Sequence, residues 1–181
     1  MGEKRQARQG ADVLLQEEPL RFQTRKQVGL LGGNFNPVHL AHLVMADQVQ
    51  NQLGLDKVYL MPTYLPPHVD EKKTISSEHR LAMLELAVAD NPCLDIEPIE
   101  LIRKGKSYTY DTMKALKEAN PDTDYYFIIG GDMVEYLPKW HRIDDLLHLV
   151  QFVGIRRPNY PTESTYPVSY THLRAHETRE D

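Results

Sequence analysis

The sequence predicts an α/β fold, a parallel sheet with helices on both faces. Three observations carry that expectation. Apolar strand-like runs alternate with stretches of helical periodicity along most of the chain. Two of the runs, Val28–Leu31 and Tyr125–Ile129, lead directly into glycine pairs, Gly32-Gly33 and Gly130-Gly131. A third, Lys57–Met61, is ended by Pro62 and followed by a long loop over 63–77. Loops of that length in a compact domain are usually functional or disordered, and this one follows the carboxyl end of a strand, where open α/β sheets bind ligands.

Residues 1–26 are charged and rich in Gln and Arg, with one apolar island at Val13-Leu14-Leu15, and read as a disordered extension. Val28-Gly29-Leu30-Leu31 has the character of a buried strand, and Gly32-Gly33 lets the backbone turn free of Cβ interference. Asn36-Pro37 breaks the strand, and Pro37 sits where a helix can begin. From Val38 to Leu53, apolar Leu40, Leu43, Val44, Val49 and Leu53 fall at helical spacing. Ser77-Glu78-His79-Arg80 opens a second helix that runs through Val88 and is closed by Asn91-Pro92. Leu94–Glu97 is a short strand interrupted by Pro98, and Ser107–Thr112 leads into a helix through Ala119, stopped by Asn120-Pro121. After the strand Tyr125–Ile129 comes a polar run, Pro138–Asp145, then a helix over Ile143–Leu149 and a strand over Val150–Ile155.

With 181 residues and 41% hydrophobic content, the chain fits one globular domain. A net charge of −5 argues against a general nucleic-acid binder, which would be basic. The single cysteine, Cys93, can form no intramolecular disulfide and suits a reducing compartment. No apolar run approaches the roughly 18 residues of a membrane span, and Met1-Gly2-Glu3-Lys4-Arg5 lacks the apolar segment of a secretory signal. The expectation is a soluble, cytoplasmic protein without membrane or nucleic-acid partners, its self-association left open.

The chemistry concentrates after the first strand. Strand, glycine turn and helix N-terminus together form a phosphate-binding geometry, because free backbone N–H groups and the positive end of the helix dipole converge there. His39 and His42, three residues apart, share a helix face and can donate hydrogen bonds to phosphate oxygens. The same pair also suits a solvated face, or a metal site that would need a third ligand such as His68 or Asp132. The stretch is neither a Walker loop nor a dinucleotide fingerprint. Gly130-Gly131-Asp132 offers a second turn with a carboxylate able to accept from a ribose hydroxyl. Trp140, the only tryptophan, has the flat face for ring stacking, and its polar neighbours Lys139, His141 and Arg142 suit a site rim better than a core.

Gly33-Asn34-Phe35-Asn36-Pro37-Val38-His39-Leu40-Ala41-His42 resembles the Gly-x-Phe-(Asn/Asp)-Pro-x-His-x-Gly-His signature of the nucleotidyltransferase superfamily. Its Asn-Pro form is similar to that of the bacterial nicotinate-nucleotide adenylyltransferases, with Ala41 in place of the usual glycine. The resemblance spans about residues 27–166 and implies a Rossmann-like nucleotidyltransferase fold. It implies ATP-dependent adenylylation of nicotinate mononucleotide, with release of pyrophosphate, in NAD biosynthesis. On that analogy His39 and His42 are catalytic and face ATP together with Gly32, Gly33, Asn34 and Phe35, and Gly131 and Asp132 complete the ATP side. Asn36, His68 in Pro66-Pro67-His68, Thr109 in the Ser-Tyr-Thr element, Trp140 and His141 fall to nicotinate mononucleotide. Val69 and His141 depart from common family residues there. Mg²⁺ would arrive on ATP, with no protein-borne metal cage. Alternatives are another adenylyl- or cytidylyltransferase, such as one acting on phosphopantetheine, against which Trp140 and the Ser-Tyr-Thr element argue, or a non-catalytic metal-binding module.

The family continues past its last shared strand with a further strand, an Ile-Ser-Ser-(Ser/Thr)-x-(Ile/Val)-Arg element and terminal helices, none of which is recognisable here. The fold is therefore expected to be incomplete at the C-terminus. Val168–Thr178 resembles one translated frame of a transposon-end sequencing adapter, so the domain is drawn at 27–167 and residues 168–181 are expected outside it. His172, His176 and Glu177 are then not a metal site, and the chain as written is expected to be poorly soluble and inactive although its parent is an enzyme.

Overall fold

A computed structural model describes residues 25–64, 75–156 and 166–172. Six strands, β1 (Lys26–Gly33), β2 (Lys57–Pro62), β3 (Leu94–Ile96), β4 (Thr123–Gly130), β5 (Val150–Arg156) and β6 (Val168–His172), form one sheet in the order β3-β2-β1-β4-β5-β6. Every neighbouring pair is parallel. The helices are α1 (Leu40–Leu53), α2 (Ser77–Val88), α3 (Ile99–Arg103), α4 (Thr109–Ala119) and α5 (Ile143–Leu146), with a 3-10 helix over Gly131–Lys139 before α5. The chain runs outward from β1 to β3 and then crosses to β4 on the other side of β1. That reversal makes the carboxyl ends of β1 and β4 the switch point at which such sheets bind ligands.

Both faces of the sheet are buried, as the alternating pattern requires. Leu30, Phe127 and Phe152 pack into one core with Met113 and Leu137, while their chain neighbours Leu31, Ile128 and Val153 pack into the other with Val49 and Leu84. Adjacent residues of one strand serve opposite cores because strand side chains alternate.

Several elements differ from the sequence expectation. The helix after β1 starts at Leu40 rather than near Pro37: residues 36–37 form a turn around a cis Asn36–Pro37 bond, and His39 is extended, with φ −137°. Leu40 is 73% exposed, and Ala46 and Val49 are the buried positions of α1. The α2 boundaries match, fixed by Ser76, whose hydroxyl accepts from the His79 N–H at 3.3 Å. Residues 131–139 are helical: Gly131, Val134 and Leu137 are buried at a spacing of three, the period of a 3-10 helix. The helix expected to reach Leu149 ends at Leu146.

Residues 168–172, expected outside the fold, form β6. The outer edge of β5 presents unpaired N–H and C=O groups that a β-branched and aromatic segment can satisfy, and Phe152 to Arg156 pair with Val168 to His172. Val168 and Tyr170 add to the first core. The Tyr170 ring lies so close over Gly154 that a Cβ there would stand 2.8 Å from it.

Candidate functional site

The turn between β1 and α1 is held mainly from outside itself. Phe35 has φ 43°, a left-handed conformation rare for an aromatic residue and costing about 1–3 kcal/mol. Burial of its ring, 2% exposed in the second core, offsets that cost. Thr63, just past β2, donates its N–H to the Gly33 carbonyl at 2.9 Å and its hydroxyl to Asn34 Oδ1 at 2.7 Å. The Ile75 N–H donates to Asn36 Oδ1 at 2.9 Å, and Arg80 Nη1 donates to the Asn34 carbonyl at 2.7 Å.

His39 caps α1, and His42 lies in its first turn. The backbone N–H of His39 donates to His42 Nδ1 at 3.2 Å. A nitrogen that accepts carries no proton, so the neutral ring holds its hydrogen on Nε2. The two imidazoles stack with centroids 3.8 Å apart, and the Phe35 ring meets His42 edge-on at 4.9 Å. Burial, and then the neighbouring His39, lowers the His42 pKa from the usual histidine value. His42 is thus a neutral Nε2–H donor at the N-terminus of α1.

A cavity of about 390 Å³ opens at the carboxyl ends of β1 and β4, within the size range of small-molecule sites. Gly32, Gly33 and His42 line it, with Gly130, Asp132 and Met133 and with Thr109, Trp140 and Glu100. A smaller cavity of about 260 Å³ adjoins it, lined by Ser107, Tyr108, Lys139 and His141 and sharing Thr109 and Trp140. Trp140 belongs to both core and rim. Its ring stands edge-on to Phe127 and Phe152, each 5.8 Å away, while it walls both cavities.

Of the residues expected in a site, the fold therefore gathers Gly32, Gly33, His42, Thr109, Asp132 and Trp140 around one space. His39 is exposed and reaches the cavity only through its stack on His42. Asn34 and Asn36 are exposed in the turn, and Phe35 is buried beneath it. Gly131 is buried, where a Cβ would stand 2.8 Å from the Ile155 carbonyl, and Gly130 is the glycine that lines the cavity. His141 sits in the smaller cavity, its ring stacked on Tyr108 at 4.2 Å. His68 lies outside the described residues.

Sequence reasoning passed over Glu100, Thr63 and Arg80. Glu100 is 4% exposed yet lines the cavity. Its Oε1 accepts from the Thr112 hydroxyl at 3.0 Å, and Thr112 accepts from Arg103 at 2.5 Å. Burial pushes the Glu100 pKa up, against the opposing pull of Thr112 and Arg103. The available signal was a lone carboxylate inside the apolar run Ile99-Glu100-Leu101-Ile102. Among the described residues no group of three His, Cys, Asp or Glu side chains converges to hold a metal ion, and no helix is long and apolar enough to cross a membrane.

A family model described as cytidylyltransferase-like matches residues 30–176. An Enterococcus faecalis protein named probable nicotinate-nucleotide adenylyltransferase is 99% identical over 168 residues, covering 93% of this chain and 77% of its own length. A Streptococcus pneumoniae protein of the same name is 66% identical over 152 residues, covering 84% of this chain and 73% of its own. Among solved structures, the Plasmodium falciparum nicotinic acid mononucleotide adenylyltransferase complexed with NaAD superposes with a TM-score of 0.68 at 19% identity, covering 83% of this chain and 76% of that one. That likeness supports the fold.

Proposed function

This chain belongs to the nicotinate-nucleotide adenylyltransferase family, and from that premise we propose that it transfers the adenylyl group of ATP to nicotinate mononucleotide. The 5′-phosphate oxygen of the mononucleotide attacks the α-phosphorus of ATP in line. The bond from that phosphorus to the bridging oxygen breaks, and pyrophosphate leaves with the electron pair. The attacking phosphate is already anionic, so no protein base is needed, and catalysis is positioning with charge stabilisation.

The observation that carries this reading is His42, whose Nδ1 is occupied by the His39 amide so that Nε2–H is the free donor of the cavity wall formed with Gly32 and Gly33. A fixed, neutral donor can bind a non-bridging oxygen as charge builds on it and needs no reorganisation at that moment. His39 assists from the outer side of the stack. Asp132 is suited to a ribose hydroxyl. Trp140 and Thr109, which line both cavities, suit the pyridine ring and its carboxylate. Mg²⁺ comes bound to the ATP phosphates and supplies charge neutralisation there. The reaction is assigned to the cytoplasm, in NAD synthesis.

Pyrophosphate release tests the reading, with ATP and, in parallel, nicotinate mononucleotide, nicotinamide mononucleotide or phosphopantetheine. The assay is run on residues 1–181 and on the chain extended with a relative's C-terminal segment. Highest kcat/KM on nicotinate mononucleotide is expected. Faster turnover of phosphopantetheine would overturn the assignment.

A further inference from the structure

Arg80 heads the described residues as the largest side chain to be fully buried, with 1% of its surface exposed. Its acceptors are neutral oxygens. Nη1 donates to the Asn34 carbonyl at 2.7 Å and the Thr63 carbonyl at 2.8 Å, and Nη2 donates to the Ser77 hydroxyl at 3.2 Å. Among the described residues no carboxylate pairs with it, and its Nε–H has no acceptor. Burial pushes its pKa down, as expected for a cation taken out of water.

Packing alone does not call for a guanidinium here. An apolar side chain of similar volume would fill the space without the desolvation cost of a charge. What an apolar residue cannot do is join the two loops that meet at Nη1. Asn34 belongs to the turn after β1, and Thr63, which follows β2, lines the cavity. Arg80 itself is not among the residues that line the cavity. It sits in the first turn of α2, whose approach is tied to the same turn by the Ile75 amide on Asn36. Three independent ties thus run from the β2–α2 side to the β1–α1 turn: the Thr63 hydroxyl, the Ile75 amide and the Arg80 fork.

The geometry points to Arg80 as a positioning residue for polyphosphate binding: by holding the Asn34 and Thr63 carbonyls together it fixes the backbone of the β1–α1 turn against which a phosphate would sit. This rests on the reading of that turn as the ATP phosphate site. A lysine would keep the charge, but it lacks the planar fork.

The test measures binding of inorganic tripolyphosphate and, separately, of nicotinate mononucleotide by thermal shift, for the wild-type chain and Arg80→Lys. Tripolyphosphate should stabilise the wild type. Arg80→Lys should weaken tripolyphosphate binding roughly tenfold or more, the scale at which small misplacements are felt, and change mononucleotide binding far less. In Arg80→Ala, millimolar guanidinium should restore tripolyphosphate binding and ethylammonium should not, a readout that a merely structural arginine would not give. Equal tripolyphosphate affinity in Arg80→Lys and wild type, or equal losses for both ligands, overturns the inference. Failure of the wild type to bind tripolyphosphate overturns the phosphate reading of the turn, and this inference with it.

Discussion

Gly32-Gly33 and Gly130-Gly131 end adjacent parallel strands and open on the same cavity, yet the two turns are built on opposite plans. After β1 the chain makes an exposed turn whose shape is imposed by others: the buried Phe35 ring, Thr63, Ile75 and Arg80. After β4 there is no separate turn. The chain enters the 3-10 helix at once, with Gly131 against the Ile155 carbonyl and Val134 and Leu137 buried. The first turn is held in shape by hydrogen bonds from Thr63, Ile75 and Arg80. The second uses its buried glycine for packing and brings a side chain, Asp132, to the cavity. A glycine pair at a strand end therefore marks close approach of something, and only the surroundings decide whether that something is a phosphate or the next strand.

Removing the donor proposed to stabilise charge, His42, should have the largest effect. His42→Ala is expected to lower kcat by about 10²–10³-fold, the usual loss for such a donor, with little change in either KM, as steady-state kinetics would register. Next comes a change that touches the fold through the second turn. Gly131→Ala forces a Cβ to within 2.8 Å of the Ile155 carbonyl. Overpacking of this kind typically costs about 1–3 kcal/mol, which a lowered melting temperature would reveal. Trp140→Ala should raise KM for the mononucleotide and leave that for ATP nearly unchanged. It should also lower the melting temperature, because the ring packs on Phe127 and Phe152. Equal effects on both substrates would contradict the stacking role. The smallest change is expected for Gly32→Ala, whose Cβ would meet the end of the Phe127 ring at an ordinary 3.5 Å. It should leave the melting temperature almost unaltered, in contrast to Gly131→Ala.

The sheet was legible because its strands are buried on both faces and read as continuous apolar runs: Val28–Leu31, Tyr125–Ile129 and Val150–Ile155 all lie inside observed strands. The helix over 77–88 was legible from its serine and its periodicity. The 3-10 helix was hidden, because its buried Gly131, Val134 and Leu137 recur strictly every three residues over a short span, and the run from Pro138 reads as polar. β6 was missed because the origin suggested by its sequence says nothing about whether an edge strand can pair. The cavity's glycines, His42, Asp132 and Trp140 stood out by residue type and order, and Thr109 only through the family resemblance; the fold places all of them around one space. Arg80 was not: a charged residue in a helix's first turn ordinarily faces water, and only the fold shows that two carbonyls wait for it. Glu100 stayed hidden for a similar reason, its burial depending on Thr112 from another helix.

The role proposed for His42 depends on one chemical state, a neutral ring that keeps its proton on Nε2. Its lowered pKa carries a sign. The unfolded chain takes up the proton first, so the resulting loss of stability is absent well above about 6.5. It sets in as the pH falls through that value and is complete below the folded pKa. Nitrogen-15 NMR of the histidine-labelled chain, titrated from neutral to acid pH with His42→Ala to assign the signal, reads both tautomer and pKa. The expected result is a neutral ring protonated on Nε2, with Nδ1 bare, titrating below 6.5, the ordinary histidine value. A ring protonated on Nδ1, or one that titrates above that value, would contradict the account.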